Sequence, residues 1–390
     1  MTTRHGDQHT IGNGPLAGVT IVDTTSMLMG PYCTAVLREM GARIIKIEPR
    51  EGDISRGIDD REQNLLGPIY LNLNRGKESI ALDLRDSDDR ALFDRFVAQA
   101  DVVTHNRPPG SETRIGLDYA TLSAVNPRII VCGMFGFGAD GPYGPLPAYD
   151  DVIQSASGLA AHQTGTGEPQ YIRTPLTDKI TGMLAAGAIA AALYEREQSG
   201  TGQLIEVPMY ETMVRFLLVE QQGAQIFDPP RGPAGYARTN SPHRHPYRTA
   251  DGLIGILAST DGHWASLFRV LGHADLIHDE RFVSITRRTA NIDALYAWLA
   301  AEVSKHPTGQ LLDALQGARV PAMRVNSIED LFDDPHLRAT NYFERVEHPV
   351  LGPLRQAGAP VRFSRSGTPE LFPAPVLGAH ADDLRAEFEG

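Results

Sequence analysis

This 390-residue sequence predicts a doubly wound α/β fold followed by a smaller α+β domain. Three observations carry the prediction. Strand-like and helix-like segments alternate through the first half, as a parallel sheet with helical crossovers requires. A loop dense in Pro, Gly, Arg and His, Asp228 to Pro246, then interrupts the pattern. Beyond it the texture changes to one strand and several amphipathic helices.

The elements follow in order. Val19 to Asp23 is an apolar run, Pro31 to Met40 a helix with Pro in its first turn, and Arg43 to Glu48 (RIIKIE) a second strand, which together form a βαβ unit. Ser79 to Leu84, Asp88 to Gln99, Asp101 to His105, Tyr119 to Val125 and Arg128 to Cys132 continue strand, helix, strand, helix, strand. An apolar segment of about fifteen residues, Ile180 to Tyr194, falls short of the roughly 20 needed to cross a bilayer and reads as a buried helix. Gly200-Thr-Gly202 ends it, Gln203 to Pro208 gives a further strand, and Tyr210 to about Gln225 a helix. In the smaller domain, about Thr249 to Asp334, Asp251 to Ser259 reads as turn and strand, and Gly262–Leu271, Ala290–Val303 and Thr308–Gln316 as helices. Short strands return between Glu344 and Phe363. The polar start, Met1 to Gly12, lacks the apolar core of a secretory signal and reads as a loose tail.

Composition excludes several function classes. With 42% hydrophobic residues the chain can bury a substantial core, and its formal net charge of −12 disfavours nucleic acid and anionic membranes. Cys33 and Cys132 are the only cysteines and both lie in apolar surroundings. Buried thiols in a reducing, cytoplasmic setting are expected, with no disulfide framework and no Cys-based zinc site.

The chemistry centres on Asp178. It stands at the mouth of the Ala- and Gly-rich segment that follows Arg173-Thr-Pro-Leu-Thr. A carboxylate in a water-poor site can attack an activated acyl group, because desolvation removes the hydration that weakens it as a nucleophile. The same position suits a carboxylate that merely complements a helix dipole, so spacing leaves both roles open. Asp150 and Asp151 beside Tyr149 read either as an acidic helix start or as further polar groups near the site. Lys46, Arg50, Arg75, Lys77, Arg107 and Arg114 recur just after strands, the edge where doubly wound folds bind ligands, and as a group they suit a phosphorylated cofactor.

Other motifs fail their context. Gly136-Phe-Gly138-Ala-Asp-Gly141 spells a dinucleotide fingerprint, but Pro142, Pro145 and Pro147 prevent the helix that must hold a pyrophosphate. These glycines suit close passage of backbone past a ligand or a neighbouring chain. His243 and His245 lack a third metal ligand, and no Gly-x-Ser-x-Gly elbow anchors a serine hydrolase.

Pro15-Leu-Ala-Gly-Val-Thr-Ile-Val-Asp23, Gly30-Pro-Tyr-Cys33, Gly41-Ala-Arg-Ile-Ile-Lys-Ile-Glu-Pro49 with Gly52-Asp53, and Asn74-Arg-Gly-Lys-Glu-Ser79 resemble the class III CoA-transferases, the CaiB/BaiF group. So do Ala148-Tyr-Asp150 with Gln154, Thr177-Asp178, Ser199-Gly-Thr-Gly202, Val320-Pro-Ala, Glu347-His-Pro-Val-Leu-Gly-Pro353 and Pro375-Val-Leu-Gly378. The resemblance covers nearly the whole chain beyond the tail.

It implies a Rossmann-like large domain built from both chain ends (15–227 and 335–390), a linker at 228–248, a small domain at 249–334, and an interlocked homodimer. Asp178 matches the family's catalytic Asp. By that analogy it attacks an acyl-CoA thioester to give a mixed anhydride, is converted by the CoA thiolate to an aspartyl-CoA thioester, and yields CoA to an acceptor carboxylate. Backbone amides at the helix start would stabilise the oxyanions. No permanently bound cofactor is implied, since CoA serves as substrate. Family contacts to CoA fall on Ser26, Met27, Leu28, Met29, Asn74, Arg75, Asn106, Arg114, Met134, Phe135 and Phe137, with Tyr149 and Asp150 in the substrate pocket.

Two departures stand out. Thr239-Asn-Ser-Pro-His-Arg-His-Pro replaces the glycine run that shields intermediates in some members. Tyr149 replaces the histidine that α-methylacyl-CoA racemases of the same superfamily use as an acid–base group. A phenol with a pKa near 10 makes a poor base at neutral pH, so transfer is favoured over racemisation. A catalytically silent CoA-binding protein is the third reading. The donor and acceptor are not written in these residues.

Overall fold

The computed structural model describes residues 13–165 and 167–389, so the expected tail at 1–12 lies outside the described residues. The described residues form two compact units, one of residues 13–164, Glu168–Phe216 and 339–389, the other chiefly of Leu217–Arg338.

The first unit is built on six strands, β1 (Thr20–Asp23), β2 (Arg43–Glu48), β3 (Glu78–Ala81), β4 (Val102–His105), β5 (Ile130–Phe135) and β6 (Leu204–Pro208). All neighbours pair in parallel. Their order, β3-β2-β1-β4-β5-β6, is that of doubly wound nucleotide-binding sheets. The order reverses between β1 and β4, and the crevice at their C-terminal ends is where such sheets hold ligands. Helices α1 (Met29–Glu39), α2 (Pro68–Leu73), α3 (Ser87–Gln99), α4 (Tyr119–Val125), α5 (Asp150–Ala156), α6 (Leu159–His162), α7 (Leu176–Ser199) and α8 (Met209–Gln221) occupy the connections. The boundary between the units falls inside α8.

Alternation along the strands gives the sheet two apolar faces. Val22, Ile45, Val103 and Val131 pack with Leu92, Phe93 and Phe96 of α3 and with Leu384 and Phe388 of the last helix, Ala381–Glu389. Phe96 and Phe388 meet edge to face at 4.8 Å. Helices α1 and α7 pack against each other and against central strands. Cys33 and Cys132 are free and buried, as their surroundings predicted.

Helix α7 is longer than its apolar run suggested, with 24 residues from Leu176 to Ser199. Its length and hydropathy would suit a membrane span. Here one stripe of it, Thr177, Thr181, Gly182, Ala185, Ala186, Ile189, Ala192 and Leu193, is buried inside the unit, as in a core helix. A Cβ on Gly182 would stand 2.6 Å from the Met29 carbonyl oxygen and 3.2 Å from the Cys33 nitrogen. Only glycine permits this crossing.

In the second unit an antiparallel sheet, β7 (Tyr247–Arg248), β8 (Leu253–Ile256) and β9 (Ala322–Arg324), packs with helices Asp261–Val270, Ile292–Val303 and Thr308–Gly317. Residues 228–246 belong to this unit. In the first unit the returning chain adds the antiparallel hairpin β10 (Phe343–His348) and β11 (Gly352–Ala357).

Candidate active site

The loop from β1 to α1 lies at the point where the strand order reverses, and its backbone is bonded at nearly every step. Thr24 N and Oγ1 donate to the Thr104 carbonyl at 2.9 and 2.8 Å. Ser26 N donates to Asn106 Oδ1 at 3.2 Å, and Asn106 Nδ2 returns a bond to the Ser26 carbonyl at 2.8 Å. The expected contact residues Ser26 and Asn106, 80 positions apart, therefore lock the ends of β1 and β4 together. Met27 sits at a φ of 69°, in the left-handed region that non-glycine residues avoid. Leu28, Met29 and Gly30 then open α1, whose first amides have no acceptor within the helix.

Asp178 lies in the first turn of α7. Residues four apart share a helix face, so Asp178 stands one turn above Gly182, where α7 touches Met29. The candidate nucleophile and the Ser26–Met29 loop are thus joined through a glycine crossing. The Asp178 carboxyl is half-buried and its pKa is pushed up to about 7, first by lost solvation and second by the charge of Asp150, against a smaller opposing pull from Lys179.

Asp150 departs from its expected role. Rather than facing substrate, it is buried, and Oδ2 accepts from Thr177 N at 2.7 Å, Thr177 Oγ1 at 2.7 Å and Asp178 N at 3.2 Å. Its Oδ1 accepts from Gln154 Nε2 at 2.5 Å, and Gln154 Oε1 in turn accepts from Ile172 N at 2.9 Å. Asp150 therefore caps α7 from a neighbouring helix, a job Pro175 at the helix's own N-cap cannot do. The amides of Thr177 and Asp178 are consumed by this cap. The expectation that they serve an oxyanion is corrected accordingly. Tyr149 is 72% exposed.

The expected band of cations divides. Lys46 and Lys77 are buried, Lys46 paired with Asp53 at 2.9 Å and Lys77 with Asp23 at 3.2 Å. Arg75 is buried too, its Nη2 on Glu344 at 2.5 Å and its Nη1 on the Ala357 carbonyl at 2.9 Å, with Nε unpartnered. Asn74 is buried with its Nδ2 on the Tyr70 carbonyl at 3.0 Å and its Oδ1 unpartnered. Lys46 and Lys77, expected to face phosphate, instead neutralise Asp53 and Asp23, carboxylates that the fold buries, while Arg75, of which the same was expected, pairs with the exposed Glu344. Arg50, Arg107 and Arg114 stay exposed, Arg50 beside Asp89 at 3.1 Å.

Met134, Phe135 and Phe137 are buried, and Phe137 packs its ring 5.5 Å from those of Tyr143 and Tyr210. The Gly136–Gly141 turn passes close to its own chain. A Cβ on Gly136 would meet that of Ala148 at 2.3 Å, a contact that sets the approach to Tyr149 and Asp150. Sequence reasoning missed the grip of Lys46 and Asp53 on the β1–α1 loop. Asp53 follows Gly52 and opens a 3₁₀ turn, Ile54–Gly57, a visible capping signal whose target loop was not.

The first unit thus carries a perturbed carboxylate at a helix start, joined through the Gly182 crossing to the loop at the switch point of a parallel doubly wound sheet, where such sheets hold ligands. Residues 16–381 match the model of CoA-transferase family III, and the chain belongs to that family and is a class III CoA-transferase. It is 36% identical over 389 residues to acetyl-CoA:oxalate CoA-transferase of Acetobacter aceti, covering 96% of each chain. It is 32% identical over 391 residues to succinate–glutarate CoA-transferase of Agrobacterium fabrum, again covering 96% of each. A solved CaiB/BaiF family protein from Brucella suis superposes with a TM-score of 0.80 at 32% identity, over 96% of this chain and 100% of that one.

Proposed function

We propose that this enzyme moves CoA from an acyl-CoA to a free carboxylic acid through covalent intermediates on Asp178. The observation that carries the reading is the Asp178 carboxyl at the head of α7, desolvated, charge-coupled to Asp150 and one turn from the crossing with the Ser26–Met29 loop. Ionised Asp178 attacks the thioester carbonyl, the C–S bond breaks, and a mixed anhydride and CoA thiolate result. The thiolate attacks the aspartyl carbonyl, releasing the donor acid and leaving an aspartyl-CoA thioester. The acceptor carboxylate attacks that thioester to form a second anhydride. Returning thiolate takes the acceptor acyl group and frees Asp178. Desolvation strengthens the nucleophile once it is ionised.

CoA is read as lying along Ser26–Met29, Asn106, Arg114 and the turn after β5, with Arg75 and Asn74 supporting that edge from inside. The donors and acceptors named for relatives are acetyl, succinyl, oxalate, glutarate and mesaconate, so short dicarboxylates are the acceptor class to test first. A homodimer is part of the reading. Met183, Leu184 and Tyr194 are 58%, 52% and 73% exposed on one side of α7, an apolar stripe that a second copy would cover.

Incubation with acyl-CoA, trapping with hydroxylamine or borohydride, and peptide mass analysis tests the chemistry. Label on Asp178 is expected, and label on another residue refutes the assignment. Solvent deuterium entering the acyl α-carbon without an acceptor acid would indicate the racemase reaction instead.

A further inference from the structure

Beneath the β1–α1 loop lies an ionic pair that neither the carboxylate chemistry nor the sheet requires. Lys46 points inward from β2 and Asp53 follows that strand, and their side chains are 0% and 1% exposed. Lys46 Nζ donates to the Thr25 carbonyl at 2.9 Å, and Asp53 Oδ1 accepts from Met27 N at 3.1 Å. The pair therefore grips the loop at two peptide groups, one on each side of Ser26. Asp53 is itself held, because Oδ1 also accepts from Ser55 N and Ser55 Oγ, both at 2.8 Å, and its own amide donates to Glu48 Oε2 at 3.0 Å. Glu48 is anchored in turn by Arg56 at 2.7 Å and by Ser79 at 2.6 Å.

A buried ion pair of this kind is a poor source of stability, since apolar residues of equal volume usually do as well. What the pair secures is geometry. Met27 carries a side chain at a φ of 69°, a conformation that costs about 1 kcal/mol or more and persists only where its surroundings enforce it. The two bonds from below, with those of Asn106 from the side, enforce it and so aim the first amides of α1 and the Met27 side chain.

We propose that Lys46 and Asp53 are positioning residues that hold the Thr25–Met27 turn in its ligand-binding conformation, and so set the affinity for the CoA moiety rather than the rate of transfer at Asp178. The inference rests on the reading of that loop as the CoA site.

Its test compares wild type with Asp53→Asn, Met27→Gly, the pair of these combined, and the volume-matched Lys46→Met/Asp53→Leu. CoA affinity is measured by calorimetry, KM and kcat with a saturating acceptor, and stability by urea melts. Asp53→Asn is expected to weaken CoA binding and raise KM for acyl-CoA about tenfold, the scale of one charge-assisted bond, with kcat held within about threefold. Met27→Gly, which removes the strain, is expected to make binding nearly insensitive to Asp53→Asn, an outcome a merely structural role would not give. The Lys46→Met/Asp53→Leu variant keeps the core filled should the single variant fold poorly; it leaves the Thr25 carbonyl and the Met27 and Ser55 amides without these partners, so it is expected to melt earlier than wild type and, where folded, to bind CoA weakly. Normal CoA affinity in that folded variant, or a fall in kcat with KM unchanged, overturns the proposal. Failure of the wild type itself to bind CoA overturns both this inference and the reading of the loop beneath it.

Discussion

Asp178 shows how one carboxyl can be both costly and useful. Because its folded pKa lies near 7 and its unfolded value near 3.8, the native state binds an extra proton between those limits. Stability therefore falls as pH rises through that window, and the full penalty stands above pH 7. Asp178→Asn removes it. The variant is expected to exceed wild type by about 2 kcal/mol at pH 8, discounted from a full-burial value because the carboxyl keeps some solvent contact, and to match it near pH 4. Urea melts at the two pH values check this, and a gap that does not change with pH rules it out. Activity should move the opposite way. Asp178→Asn or Asp178→Ala is expected to lose about 10⁴-fold or more in turnover, as expected when a covalent nucleophile is removed. In wild type the single-turnover acylation rate should climb with pH to a plateau, with an apparent pKa near 7, because only the ionised carboxylate attacks. A flat profile from pH 5 to 8 would contradict that assignment.

At the scale of elements, the crossing of α1 and α7 transmits structure to the site. Gly182→Val would drive a branched side chain into the Met29 carbonyl and the Cys33 amide, backbone atoms that no rotamer change can move. A loss of roughly 2–3 kcal/mol is expected, more than any helix-propensity gain over glycine returns. Since Asp178 rides one turn above on the same face, turnover should drop in the folded variant as well. Denaturant melts and kinetics on the same preparation check both. In the first unit β1, β2, β4 and β6 and helices α1, α3 and α4 were legible to within two residues from apolar runs and turn residues, and β1, β2 and β4 most plainly, because they are buried on both faces of a parallel sheet and say so in their composition. Helix α7 was legible only in part. Its first and last turns are polar where they meet Asp150 and the Gly200 end, so the apolar run undercounted a helix that tertiary contacts extend.

The whole molecule adds what local pattern cannot. The last helix and the β10–β11 hairpin return over 100 residues after β6 to complete the first unit, and Phe388 joins the same core as Phe96. Phe388→Ala is expected to cost about 3 kcal/mol although it lies in the last turn of the last described helix. A melting temperature within a degree of wild type would show the terminal helix to be dispensable. At the same scale, sedimentation is expected to give twice the mass of one chain. Replacing Met183 and Leu184 with Glu should release monomers, and a wild-type monomer would remove the dimer from the reading.

Alternating apolar runs, the Pro- and Gly-rich break and the placement of Asp178 at the head of an apolar segment were properties of the sequence by itself, since burial on a fixed period leaves its mark residue by residue. Which charges face solvent was decided only by tertiary structure. Lys46, Lys77 and Arg75 look like surface cations in a linear reading, yet each is buried and paired with a carboxylate, and Glu344 lies 269 positions from Arg75. The same holds for Asp150, whose role is set by the amides of a helix that begins 26 residues later. Electrostatic pairing acts across space and leaves no period along the chain, so it stayed hidden until the chain folded.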